Sequence, residues 1–304
     1  MIQTPWGEQD VVDAHVHFFS PPFYHSLAEQ KQSDDVGAIL GWEVPESSEY
    51  LADRWVVEMN HNGADGAVLI GSIPGDIESV GFAAERHPAR FRSIVMVNPM
   101  LPGVDLRCQA ALAAGQIHGI FLFPAMHCYS MQSQPVRSLL ATVSGYPKTV
   151  VYVHCGMLSV GFRKKLGLPC PFDLSFSNPV DLHSAALEFP KLPFVIPHFG
   201  AGFFREALML ADLCPNVYFD TSSSNSWMRT DPSSPGLEQV FRKTLEVLGS
   251  GRLLFGTDSS WFPRGWVKSV FDTQIQALLS AGIDDTAARA IFGGNLRTLF
   301  DWPK

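Results

Sequence analysis

The side chains of this sequence best suited to chemistry stand at the ends of apolar runs. Asp13-Ala14-His15-Val16-His17 closes a β-branched run, and residues two apart in a strand face the same side, so two imidazoles converge. His154 closes Val150-Val151-Tyr152-Val153, His198 closes Phe194-Val195-Ile196-Pro197, and Asp258 closes Leu253-Leu254-Phe255-Gly256-Thr257. An isolated pair of histidines two apart carries little information, but polar residues at four strand ends do. Neutral imidazole nitrogens and a carboxylate are the donors that zinc, manganese or ferrous iron accept. Burying an ionised aspartate among imidazoles without a partner is costly, and a bound cation would offset that cost.

Elements able to bring those ends together recur along the whole chain. Strands are predicted at residues 11–17, 67–71, 93–98, 119–123, 150–154, 194–198, 217–221 and 253–258. Helix-period segments alternate with them at 50–62, 77–86, 106–114, 137–143, 180–189, 204–213, 237–248 and 267–279, with Gly63, Pro88 and Gly115 placed as terminators. This alternation requires parallel strands joined by crossover helices. Eight such units in 304 residues match an α/β fold of the closed (β/α)8 type, the TIM barrel, read as one domain over 1–304. In that fold the carboxyl ends of the strands form the catalytic face, where His15, His17, His154, His198 and Asp258 would meet. Two connections are long, 18–48 after the first strand and 155–178 after the fifth, and both are expected to cover that face. The Ser/Pro-rich stretch 221–235 reads as a further strand-to-helix loop, and a last helix, 286–300, is expected to pack on the barrel exterior.

With these motifs in hand, the chain resembles the amidohydrolase superfamily, and within it the amidohydrolase-related group that includes aminocarboxymuconate-semialdehyde decarboxylase. The resemblance rests on Asp13 to His17, on Val153-His154-Cys155-Gly156, on Ile196 to Gly202, on Phe255 to Ser259, and on the closing stretch Ile291 to Phe300. It implies that His15, His17, His154 and Asp258 are metal ligands and that His198 is a nearby acid/base or polarising residue. Many members bridge two metals with a carboxylated lysine at the end of the fourth strand. Here that stretch, Gly119-Ile120-Phe121-Leu122-Phe123-Pro124, has no lysine, so one divalent ion is expected, with Zn2+ favoured over Mn2+ or Fe2+. The implied reaction is metal-assisted hydrolysis of an amide, ester or lactone-like bond in a small, carboxylated molecule. The alternative on the same residues is non-oxidative decarboxylation of an aromatic or muconate-type acid, with Asp258 and His198 as the catalytic pair in either case.

Substrate contacts are read from position alone. Trp261 and Arg264 follow Asp258 closely on the expected catalytic face, and an arginine there could bind a carboxylate bidentately. Arg163, Lys164 and Lys165 in the fifth loop read as a solvated charge run. Of Asp220 and Thr221 only one can face inward, and neither is assigned. Cys155 is turned away from the side that His154 faces.

Composition excludes other classes of partner. A net charge of −8, with no basic run longer than Arg163 to Lys165, argues against nucleic acid and anionic membranes, leaving a small molecule. No apolar stretch approaches the roughly 20 residues of a membrane span, and no basic-then-apolar leader opens the sequence, so a cytoplasmic protein is expected. The five cysteines are scattered and without a C-x-x-C pair, which fits reduced thiols. Self-association as a homodimer is the expected assembly.

Overall fold

The computed structural model describes residues 1–222 and 225–303. Its chain opens with an unanticipated antiparallel hairpin, β1 (Ile2–Thr4) and β2 (Gly7–Gln9). Eight parallel strands follow: β3 (Val12–Phe18), β4 (Gly66–Gly71), β5 (Phe91–Val97), β6 (Gly119–Leu122), β7 (Val150–Val153), β8 (Phe194–Ile196), β9 (Val217–Asp220) and β10 (Leu253–Leu254). They are hydrogen-bonded in sequence order, each to the next. The barrel closes where β3 meets the segment after β10. There Ala14 N–H donates to the Phe255 carbonyl at 2.7 Å, Asp258 N–H to that of His15 at 3.0 Å, and His17 N–H to that of Ser259 at 2.7 Å. The expected (β/α)8 barrel is therefore present, with helices such as Ser48–Asn62, Ile77–Arg86, Phe204–Leu213 and Leu237–Leu248 in its outer layer.

Alternation sorts the strand residues into two apolar layers. Val12, Val68, Ile94, Phe121, Tyr152, Val195 and Leu254 fill the barrel interior, while Val11, Leu69, Val95, Ile120, Val151 and Phe194 pack towards the helices. Five strands are shorter than the sequence predicts, β8 and β10 by the most. After Ile196 the chain turns through His198 (φ 56, ψ 31) and Phe199 (φ 54, ψ 27), and Asp258 also has positive φ, at 60. Non-glycine residues in this left-handed region cost about 1–2 kcal/mol each, so the polar residues sit on strained turns just past the strand ends.

The closing segment also differs from expectation. It is helical over Asp285–Arg289 and Asn295–Leu299 with a wider turn between, and it leads Leu296, Phe300 and Trp302 into the barrel-interior cluster. The apolar interior needs a cover at the end opposite the strand carboxyl termini, and this segment supplies it instead of lying on the outside. No helix among the described residues is long and apolar enough to cross a membrane, and all five cysteines are free.

If the closing segment is the barrel's floor, Trp302→Ala should cost about 3 kcal/mol and lower Tm by about 5 °C. Calorimetry with metal analysis of the same sample checks this, the metal content being expected to stay unchanged because the floor and the strand carboxyl ends lie apart.

Candidate metal centre and its cavity

Strand β3 sets the site through an irregularity. Asp13 pairs with Ala67 and Val16 with Leu69, so three steps on β3 match two on β4, which is a bulge. Val12 and Ala14 face the interior below it; beyond it His15 and His17 face the cavity while Val16 and Phe18 join the outer layer. Unbroken alternation would have put both histidines on Asp13's side, towards the helices. Asp13 accepts four hydrogen bonds there, from the His15 and Thr257 amides, the Thr257 hydroxyl and the Trp266 indole. Burial pushes its pKa up to about 6 against those donors. These bonds tie the histidine strand to the turn that carries Asp258.

The orientation of each imidazole is fixed by a partner behind it. His15 Nδ1 lies 2.6 Å from the carboxylate of Asp220, a buried residue that the sequence left unassigned. Its strand partner Thr221 turns outward and donates to Gln274 at 2.7 Å, so alternation could have narrowed the choice but not made it. Gly256 is required beside this pair, since a Cβ there would come within 2.6 Å of Asp220 Oδ1. His17 Nδ1 lies 2.8 Å from Ser72 Oγ, whose proton goes to the Ile70 carbonyl at 2.9 Å, so the imidazole donates. His198 Nδ1 donates to the Ser222 carbonyl at 3.1 Å.

In these tautomers the Nε2 lone pairs of His15 and His17 face each other at 3.3 Å, and Asp258 Oδ1 lies 3.6 Å and 3.4 Å from them. Three acceptors so close repel one another unless a positive charge sits among them, and His15, His17 and Asp258 have donor atoms all within 4.8 Å, a set that could hold a metal ion. The protonation equilibria carry the same signature. Burial opposes charge on His15, but the carboxylates of Asp220, Asp258 and Asp13 together outweigh it and raise the pKa, whereas burial lowers that of His17, His154 and His198. Burial also works against an ionised Asp258, yet the neighbouring imidazoles of His17, His15 and His198 hold the carboxyl below its usual range.

His154 stands on the same cavity wall but outside this compact group. Its ring stacks on Phe123 with centroids 5.5 Å apart and lies 5.4 Å from that of His198, and its Nδ1 is buried without a hydrogen-bond partner. Next to it, Cys155 is buried in the outer layer, where desolvation raises its thiol pKa. Where a carboxylated lysine would stand, the end of β6 presents Phe121 and Phe123.

Above the polar floor is a cavity of about 480 Å3, walled by aromatic and methionine side chains. Both long loops build it. Phe19, Phe23 and Trp42 come from the first, and Met157, Leu158 and Phe162 from the fifth. Phe19 stacks on Phe23 at 4.0 Å, and Trp42 stacks on Trp261 at 4.6 Å. Trp261 thus lines the cavity. Arg264 does not: its guanidinium lies behind Trp261, 3.7 Å from the ring centroid, with its donors on the Asp258 carbonyl and Ser260 Oγ. Lys165, read from the sequence as solvated, is exposed and also borders the cavity. In the seventh loop, Ser223 and Ser224 lie outside the described residues.

The chain belongs to the amidohydrolase family, whose model matches residues 12–302. Protein fluG of Emericella nidulans is 37% identical over 87 residues, 29% of this chain but only 10% of that much longer protein. Among solved structures, a 5-carboxyvanillate decarboxylase of Novosphingobium aromaticivorans with bound manganese aligns with TM-score 0.66 and 13% identity, covering 99% of this chain and 100% of that one. A probable 2-pyrone-4,6-dicarboxylic acid hydrolase of Acinetobacter baumannii gives 0.60 and 16% over 96% and 100%. An amidohydrolase of Burkholderia multivorans with bound zinc gives 0.60 and 15% over 97% and 100%. At these identities the likeness is one of fold.

The Asp220 pairing yields a specific expectation. Its Oδ2 meets His15 while Oδ1 accepts from the Ser222 amide at 2.7 Å, and the single oxygen of an amide cannot serve both. Asp220→Asn should weaken metal binding about 10- to 100-fold with the fold intact, as read by titration against a competing chelator and by circular dichroism. Unchanged affinity would show that Asp220 does not orient His15.

Proposed function

From membership of that family, we propose that this protein is a mononuclear metal-dependent hydrolase acting on an amide, ester or lactone-like bond of a small, carboxylated molecule. The observation that carries the reading is the convergence of the His15, His17 and Asp258 acceptors with their outer nitrogens already committed. His154, whose buried Nδ1 has no partner and which lines the same cavity, would complete the ligand set. A divalent ion, Zn2+ by this donor chemistry, would lend Lewis acidity to a carbonyl and to a water molecule.

The chain's own groups would handle protons and position. His198 is held neutral by burial and bears its proton on Nδ1, so Nε2 is the atom free to take a proton from the attacking water and return it to the leaving group. Asp258, kept ionised by its neighbours, would serve mainly as ligand and as the first hydrogen-bond acceptor for that water. The aromatic walls would exclude bulk water and hold a flat substrate against the floor. Decarboxylation is the second reading, and the same apolar walls favour it, since a carboxylate departing as neutral carbon dioxide gains from a poorly solvating site.

His198→Asn should lower turnover about 100-fold or more while the metal is retained. His15→Ala or His17→Ala should lose both, and Asp258→Asn should impair turnover with the fold preserved. Metal content and turnover measured on the same preparations check these assignments, and a fully active His198→Asn would overturn the proton-transfer role. The stoichiometry expected is close to one ion per chain, and chelation should abolish activity that a divalent ion restores. A screen of lactones, amides and aromatic acids separates the reactions: carbon dioxide release without hydrolysis would replace the first reading with the second.

A further inference from the structure

Electrostatics at the upper end of the cavity point to one residue that selects the substrate. Among the described residues lining the cavity, Lys165 is the single lysine or arginine. The other basic side chains nearby are committed elsewhere. Arg264 Nη2 donates to the Asp258 carbonyl and Ser260 Oγ, and Arg163 donates to the Pro169 carbonyl and to Gln30 Oε1 at 2.9 and 2.8 Å. Among the described residues no carboxylate forms an ion pair with Lys165.

Lys165 is exposed, but the backbone that carries it is held in place. Lys165 ends the short helix Gly161–Lys165, three residues after Phe162, so both project from one face. The Phe162 ring is wedged among Phe19, Phe23 and Trp42, with centroids 5.9, 5.6 and 5.5 Å away. That aromatic anchor holds the helix against the cavity, whose lining includes Lys165 as well as His15, His17 and Asp258.

We propose that Lys165 is the specificity-determining residue of this cavity, binding a carboxylate carried at the end of a flat substrate remote from the reacting bond. The inference rests on the cavity being the substrate site assumed above, and it deepens that reading by naming the group recognised and the residue that recognises it. Lys165 is exposed, so water screens its charge-assisted hydrogen bond to a carboxylate in part, yet that bond is lost altogether for a neutral isostere.

The test needs no turnover, so it stands even if the reaction class is wrong. The purified full-length protein is titrated with 3-nitrobenzoate and with its neutral isostere 3-nitrobenzamide, and quenching of tryptophan fluorescence is followed, Trp42 and Trp261 being on the cavity wall. The wild type should bind the acid about 10-fold more tightly than the amide. Lys165→Met should bring the two affinities together, with that for the amide unchanged as the control for folding. Lys165→Arg and Lys164→Met should keep the preference. A preference that survives in Lys165→Met, its absence in the wild type, or failure of both probes to bind would each overturn the proposal.

Discussion

Between Asp13 and Val16, β3 carries one more residue than β4 opposite it, and the geometry of the candidate metal centre follows from that offset. A strand has only two sides. Without the extra residue, the side that His15 and His17 share would be that of Asp13, among Trp266 and the outer layer. With it, the two imidazoles turn into the cavity while Asp13 stays behind as an anchor. Four donors converge on that one carboxylate, from β3 itself and from the turn after β10, so barrel closure and placement of Asp258 are a single event. The left-handed backbone at Asp258 is sustained by this closure, as its own amide donates to the His15 carbonyl.

A second consequence is that the site is organised from behind. Asp220 and Ser72 take the Nδ1 protons of His15 and His17 and leave the Nε2 lone pairs pointing at a common region. The protein thereby spends hydrogen bonds in its interior to hold acceptors together where they repel. Such an arrangement lowers the reorganisation needed on binding a cation, because the donors are already aimed. His198 belongs to the same network through Ser222, whose hydroxyl lies 2.9 Å from His198 Nδ1 and 3.2 Å from His15 Nδ1.

The aromatic lid and the polar floor divide the work of the cavity. Phe19, Phe23, Trp42 and Phe162 form a small apolar cluster separate from the barrel layers, so the two long loops support each other and not only the strands beneath them. Each aromatic pair contributes about 0.5–1.5 kcal/mol beyond area burial. This lets the lid keep a defined shape over an apolar space that water would otherwise fill.

The sequence by itself determined the eight strand-helix units, the family, and the residues that gather at the strand ends, because each is written in local periodicity and motif. It also located the two loops that cover the face, since their length exceeded what a connection needs. Other features were decided only in three dimensions. The side on which His15 and His17 emerge depends on a bulge, which no alternation pattern records. The choice of Asp220 over Thr221 depends on which of them meets His15 across the barrel. Which basic side chain borders the cavity, Lys165 and not Arg264, depends on how the loops pack around it. The closing segment became a floor instead of an appendage for a related reason. A helix's apolar face shows that it must be covered, and only the packed barrel shows which opening it covers.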